Sequence, residues 1–233
     1  MKLHTSTSTI SDGNMSLRFG DASEVLGNRR TFLKKHNIYW ENHVCMRCNH
    51  SECIVPVSKD TPVNEHRIVD AEVLITQTPE FTLALLTADC IPSVLFDPIT
   101  KTLALAHFSR QTLVSELPRK TVEYLHTHFS IDPKNLVVQT GPYIHAASYT
   151  FPLPQPPLPQ PIAAHTYTEA GHIHIDLATA HTTQLVATGV QEQNIQHAKT
   201  DTATSPEHYS HYATQKNNTP EGRILTIATI TSS

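Results

Sequence analysis

The stretch at residues 82–110, TLALLTADCIPSVLFDPITKTLALAHFSR, decides the fold. It reads as an apolar strand over Thr82 to Thr87, a turn carrying Asp89 and Cys90, a second strand over Pro92 to Phe96, and a third over Thr102 to Ala106 that ends at His107. The link Asp97-Pro98-Ile99-Thr100 has the composition of a hairpin turn, with proline at its second position. Antiparallel pairing from that turn, with Phe96 opposite Lys101 or Thr102, places Cys90 opposite His107 or Phe108. A thiol and an imidazole then face each other at the open end of one hairpin. That pair suits either a shared metal ion or a nucleophile with its base.

Outward from this stretch the signals are those of an α+β protein. Asp21 is a helix N-cap and Glu24 a capping-box residue; Val25, Leu26, Arg29, Phe32 and Leu33 follow at helical spacing. The pattern predicts a helix over 22–35 that stops at Asn37. Arg29 and Arg30, in mid-helix, read as a solvated face. Short strands are predicted at Met15 to Phe19, Ile38 to Met46, Cys53 to Val57 and Asp70 to Thr76, with a polar loop over Ser58 to His66. Leu113 to Phe129 reads as a helix whose first turn suits Pro118. Strands follow at Asn135 to Gln139, Ile173 to Ile175, Asn194 to Ala198 and Arg223 to Ile230. Asp176 caps a further helix that ends at Gly189. The segment 152–161, PLPQPPLPQP, should form a stiff polyproline II surface loop outside any sheet. Strand hairpins with peripheral helices indicate mixed and antiparallel sheets in a single domain over 1–233, not regularly alternating βαβ units.

Composition narrows the function. The 233 residues are 39% hydrophobic, enough for one sizeable core, and charged residues make up only 16% with a net charge of −4. That balance argues against a nucleic-acid surface built on phosphate contacts. No apolar run approaches the roughly 20 residues that span a bilayer, and the first residues lack the apolar segment of a signal peptide. The expectation is a cytoplasmic protein. Four cysteines, three of them between Cys45 and Cys53, do not make a secreted disulfide framework. Cys45, Cys48, His50 and Cys53 allow two readings: a self-contained zinc knuckle, or a lone ligand His50 at a strand turn among incidental cysteines. No glycine-rich phosphate loop is present.

Taken in order, these motifs resemble the YfiH family, also known as the laccase-domain, multicopper polyphenol oxidase or DUF152 group. TADCIPSVLFDP resembles its signature. The segment 11–38 resembles its opening, with Asn28-Arg29-Arg30 on an Asn-Arg-Arg motif. CNHSECIVPV falls on Gln-Val-His-Gly, DAEVLIT on Asp-Ala-Asp-Ala-Leu-Val-Thr, and LALAHFSR on His-Ala-Gly-Trp-Arg-Gly. GPYIHAASYTF falls on Gly-Pro-Cys-Ile and Tyr-Glu-Val, and EGRILTIATI on the closing Thr-Gly-Arg strand. The resemblance implies a YfiH-like α+β fold with a zinc or copper ion held by His50, Cys90 and His107. It implies phosphorolysis of adenosine, inosine or methylthioadenosine, and deamination of adenosine. Other members have been described as copper oxidases acting on polyphenols. The chain departs from the pattern at Cys48, where the family has Gln, at Phe108-Ser109-Arg110-Gln111, at Tyr143 and at Thr150.

Two His nitrogens and one thiolate leave a fourth tetrahedral position for a water, whose pKa a zinc ion lowers towards about 7. Asp89 is then a candidate acid/base. Phosphorolysis needs a cationic seat for phosphate, for which Arg110 and Arg29 are candidates. Three classes of function follow: a zinc-dependent purine nucleoside enzyme, a degenerate relative that binds metal or nucleoside with little turnover, and a copper-dependent oxidoreductase.

Overall fold

The computed structural model describes residues 2–231. In chain order its elements are β1 (Lys2–Thr7), α1 (Ala22–Lys35), β2 (His43–Arg47), β3 (Ile54–Pro56), β4 (Ile68–Asp70), β5 (Val73–Thr76), β6 (Thr82–Thr87), β7 (Ile91–Asp97), β8 (Thr102–Phe108), α2 (Arg110–Val114) and α3 (Leu117–Phe129). There follow β9 (Val137–Thr140), β10 (Thr150–Pro152), β11 (Thr166–Glu169), β12 (His172–Ile175), α4 (Leu177–Val186), β13 (Ile195–Gln196), α5 (His211–Asn217) and β14 (Ile224–Thr231). A five-stranded sheet runs β1-β14-β6-β2-β4 and a six-stranded sheet runs β13-β9-β7-β8-β5-β3; a small third sheet is β10-β12-β11. The fold is α+β.

Strand alternation sorts the side chains into layers. On β6 and β8, Leu83, Leu85, Leu103 and Leu105 meet Val44, Met46, Val94, Ala228 and Ile230 between the two large sheets. The intervening Ala84, with Leu225 and Ile227, faces α1 through Phe32 and Leu33. Ala104 and Ala106 face the opposite helices, against Leu113, Leu117, Val122 and Leu125. Small alanines on both outer faces let the helices sit close to the sheets. Each buried leucine of the middle layer contributes roughly 1.5–3 kcal/mol by leaving water.

The quoted stretch spans two sheets, and its hairpin register differs from expectation. Its first strand, β6, does not pair with the second: β6 lies between β14 and β2 in the five-stranded sheet, whereas β7 and β8 pair in the six-stranded one. The turn at Ala88–Cys90 therefore carries the chain from one sheet to the other. The β7–β8 register is also one step further on, with Asp97 opposite Thr102, Pro92 opposite His107 and Ile91 opposite Phe108. Asp97 causes the longer turn, because its carboxylate accepts from the Ile99 and Thr100 N–H groups and the Thr100 hydroxyl, and Lys101 closes it at φ 58°. Cys90 thus lies beyond the last paired residue, not opposite His107 or Phe108.

The same crossing between sheets occurs two more times. β2 and β4 lie side by side with β6, with β2 parallel to both, in the five-stranded sheet. Each leads directly into a strand of the six-stranded sheet, β3 after residues 48–53 and β5 after Ala71 and Glu72. Three neighbouring crossings, at the same ends of three strands, form one seam.

Several elements depart from the sequence reading. Met15 to Phe19 is not a strand. Met15 is buried against α1, and its carbonyl accepts from the Arg29 guanidinium at 2.7 Å. The N-terminal strand is instead β1, paired over six positions with β14. The predicted helix over 113–129 is two, broken at Ser115 and at Glu116 with φ 57°, so Pro118 sits in the first turn of α3. Pro152 does end a short strand, while the rest of the proline segment is loop. α1 spans Ala22–Lys35 with Asp21 accepting from Ser23 and Glu24, and Asn37 leaves it at φ 59°. Among the described residues no helix is long and apolar enough to cross a membrane.

Candidate functional site

The seam opens into a cavity of about 920 Å³, whose lining includes Cys48, His50, Cys90 and His107. That volume is the size expected of a small-molecule pocket. Each group arrives from a different place in the fold. Cys48 and His50 lie on the β2-to-β3 crossing, Cys90 on the β6-to-β7 crossing, and His107 near the end of β8. The His50 and His107 rings stand 5.4 Å apart, centre to centre.

Glu72, on the β4-to-β5 crossing, organises the group. It is fully buried, and its Oε2 lies 2.7 Å from His107 Nδ1. Its Oε1 accepts from the backbone N–H groups of Asn49 and His50 at 2.7 and 2.6 Å. Burial pushes this carboxyl up, but the His107 imidazole and the two N–H groups outweigh it and hold the pKa below the usual value. Glu72 is therefore ionised, and it fixes Nδ1 of His107 as the protonated nitrogen, leaving Nε2 for the cavity. Burial likewise opposes charge on His107, yet the Cys48 and Cys90 sulfurs overrule it and raise its pKa well above the ordinary value.

His50 is oriented by a hydroxyl. Its Nδ1 lies 3.0 Å from Ser109 Oγ, the N-cap of α2, which accepts from the Thr112 N–H. The backbone at His50 has φ 60°, which turns the ring off the strand and over the seam. Burial, then the neighbouring His107 charge, lowers the His50 pKa, with Glu72 acting the other way. Burial raises that of Cys48.

The chemistry of this donor set fits a borderline-soft divalent ion. Two imidazoles with oriented rings and thiols on the same cavity are what zinc or copper binds. Cys48, Glu72 and His107 place one ligating atom each within 4.8 Å of one another. Of these, Glu72 has both oxygens already engaged, so it acts as the orienting partner of His107.

The zinc-knuckle reading of the cysteine-rich segment fails. Cys45 is buried on β2 against α1, and Cys53 is exposed with its thiol on the Asp70 carbonyl. Among the described residues neither sulfur joins Cys48 and His107 in a cluster of ligating atoms. The cysteines are not all incidental, however, since Cys48 lies with His107.

The other expected site residues separate. Arg29 is buried on the same stripe of α1 as Val25, Phe32 and Leu33, and it lines the cavity instead of a solvated face. Its Nε donates to Met15, its Nη1 has no partner, and among the described residues it forms no ion pair. Arg18 and Arg223 lie nearby on the wall, their guanidinium carbons 5.4 and 4.5 Å from the Phe19 ring centre. Arg110 instead sits over Phe151 at 5.7 Å, away from the cavity lining. Asp89, at φ 86°, spends its oxygens on the Thr202 hydroxyl (2.6 Å) and the Tyr212 N–H (2.7 Å). It tethers α5 to the seam, and Asp89 is not among the residues that line the cavity.

Sequence reasoning missed Glu72, Ser109 and the burial of Arg29. Glu72 is an acidic residue between Ala71 and an apolar run, where a charge needs a partner. Arg29 shares helical spacing with the apolar residues around it.

A small-molecule site built on a seam between two sheets defines the class, and comparison with known proteins gives the family. The Multi-copper polyphenol oxidoreductase laccase family matches residues 2–231, and the chain belongs to it. It is 29% identical over 132 residues to the purine nucleoside phosphorylase SCO2081 of Streptomyces coelicolor, covering 57% of this chain and 53% of that one. It is 27% identical over 229 residues to the purine nucleoside phosphorylase YlmD of Geobacillus stearothermophilus, covering 91% of this chain and 81% of the other. The chain thus spans about half the length of the first relative and four-fifths of the second. The crystal structure of YlmD from Geobacillus stearothermophilus superposes with a TM-score of 0.85 at 24% identity, over 99% of this chain and 92% of that one. The shared fold extends from β1 to β14.

Proposed function

We propose that the chain is a zinc-dependent purine nucleoside phosphorylase, with His50, Cys90 and His107 holding the ion and Arg29 seating phosphate. The observation that carries this reading is the buried Arg29 guanidinium on the same cavity as His50, Cys90 and His107, with an unpartnered Nη1 and no ion pair among the described residues. A buried cation without a protein counter-ion is costly unless its anion is a ligand. Inorganic phosphate supplies two oxygens to a guanidinium in the bidentate geometry arginine favours.

In phosphorolysis a phosphate oxygen forms a bond to C1′ of the ribose as the C1′–N9 bond breaks, and the purine leaves with the electron pair. Arg29 would orient the nucleophile, with Arg18 adding positive charge along the wall, where Arg223 is already paired with Glu221. Bound at His50, Cys90 and His107, zinc would supply a Lewis-acid charge to the same cavity. Glu72 and Ser109 would keep both rings aligned. Arg110, which lies over Phe151, has no part in the phosphate seat, and Asp89 serves the fold.

The test is phosphate-dependent release of free base from adenosine, inosine or methylthioadenosine, with ribose 1-phosphate or its methylthio analogue as the second product. Arg29→Met is expected to raise the phosphate KM at least tenfold and to move the nucleoside KM far less. Base release that proceeds equally without phosphate, or none from any of the three nucleosides, would overturn the reading. Uptake of oxygen with a phenol would instead favour the copper oxidoreductase. Against that stands a single cluster of ligating atoms among the described residues, that of Cys48, Glu72 and His107, where electron transfer to oxygen by multicopper chemistry uses several.

A further inference from the structure

Of the cysteines and histidines on the cavity wall beyond His50, Cys90 and His107, Cys48 is the one whose ligating atom lies close to that of His107. Cys48 precedes His50 by two residues, on the same crossing, and both side chains line the cavity. Its Sγ lies within 4.8 Å of the ligating atom of His107, as does the Glu72 carboxylate. The thiol is half-buried and faces the His107 imidazole, in contrast to Cys45 and Cys53, whose sulfurs rest on backbone carbonyls. Cys48 and Cys90 both act on the one imidazole of His107.

We propose that Cys48 is a fourth ligand, so that this chain holds zinc in a closed Cys2His2 site made of Cys48, His50, Cys90 and His107. The inference rests on the zinc reading above and deepens it. Four-coordinate tetrahedral zinc with two thiolates and two imidazoles is the pattern of a site that keeps no position for water. The second thiolate tilts the site further towards soft and borderline ions and away from magnesium, calcium and manganese. Each thiol loses its proton on binding, and the electron pair so freed forms the sulfur–metal bond.

The closed site has a chemical consequence. Deamination of adenosine in the manner of zinc deaminases needs a hydroxide on the ion and a free carboxylate to shuttle protons. Cys48 would take the position of the first, and Asp89 and Glu72 are both engaged. The ion, its charge balanced by the two thiolates, would then brace the seam and fix the cavity wall, compatible with phosphorolysis and not with hydrolytic deamination.

The experiment is substitution with cobalt(II), whose thiolate-to-metal charge-transfer absorption scales with the number of sulfurs bound. The expected result is that Cys48→Ser and Cys90→Ser each lower that absorption to about half the wild-type value and weaken binding at least tenfold, while Cys53→Ser changes neither. Full wild-type intensity in Cys48→Ser overturns the proposal while leaving the three-ligand zinc site standing. Failure of the wild-type protein to bind cobalt or zinc at all overturns both. A reading that needs no variant uses alkylation and peptide mapping of the wild-type chain. Zinc is expected to protect Cys48 and Cys90 together and leave Cys53 reactive, and protection of Cys90 alone refutes the fourth ligand.

Discussion

Replacing Glu72 by glutamine strikes the one residue that ties the seam together. The carboxylate is fully buried and accepts three hydrogen bonds, from His107 Nδ1 and from the N–H groups of Asn49 and His50. A glutamine offers one oxygen and one NH2. If the oxygen keeps the two backbone donors, the NH2 faces His107 Nδ1 and forces the proton onto Nε2, the nitrogen needed in the cavity. If the oxygen keeps His107, the NH2 meets two N–H donors. Each bond to a charged acceptor is worth about 1.5–3 kcal/mol, and removing one side of a buried ionic pair costs about 3–5 kcal/mol. With a urea m-value near the upper end, about 3 kcal/mol/M, the unfolding midpoint should fall by about 1–1.5 M. Zinc affinity should fall about 10–100-fold, as for other partners that orient a ligating histidine. The acid limb supplies a sign. Because the folded pKa is depressed below 4.5, Glu72 contributes stability that is present above the unfolded pKa and lost as pH falls through the folded one. Glu72→Gln should therefore narrow its gap to the wild type below about pH 4.5. A midpoint shift under about 0.3 M together with unchanged zinc affinity would refute the role given to Glu72.

Three other perturbations probe separate parts of the molecule. His181 is fully buried between β7 and the helices, bonded to Ser93, and burial lowers its pKa to about 3. Its contribution is complete above pH 6.5 and falls by about 1.4 kcal/mol per pH unit on the way down. Urea midpoints at pH 7, 6 and 5 should decline less steeply in His181→Gln, and equal slopes would count against it. Asp89→Asn should loosen the tether to Thr202 and Tyr212 at a cost of about 1–3 kcal/mol, seen as faster hydrogen exchange at the Tyr212 amide with the β6 amides unchanged. Leu105→Ala, in the layer between the sheets, should cost about 2–5 kcal/mol in chemical denaturation and leave phosphate KM unaltered.

Much of the scaffold was legible because it is written in local code. Asp21 and Asn37 bracket α1, and Asp97-Pro98 marks the hairpin. The alternating leucines and alanines of residues 82–106 specify two-faced strands. The failures have physical reasons too. β1 is an edge strand rich in threonine and serine, and so it carries little apolar signal. The three residues to which the family resemblance assigns a metal do line one cavity, yet β7 and β8 pair one register step further on than the turn composition predicts, so Cys90 does not face His107 across the hairpin. Which strands lie next to which is a long-range matter that no window of sequence encodes. For the same reason nothing in DAEVLIT announced that Glu72 would meet His107, 35 positions away. Arg29 was misread because arginine on an apolar stripe is normally a solvated exception, and here the stripe runs past a cavity.

The seam between the sheets also sets when the site can exist. His50 and the hydroxyl that aims it are 59 positions apart in the chain, so no short peptide from this protein could gather the group. The entropy of closing those long loops is met by the leucine layer between the sheets. An ion bound at the seam would pin, at one edge, two slabs that this layer already holds face to face. Loss of the metal should be felt as slippage of one slab against the other before either one melts.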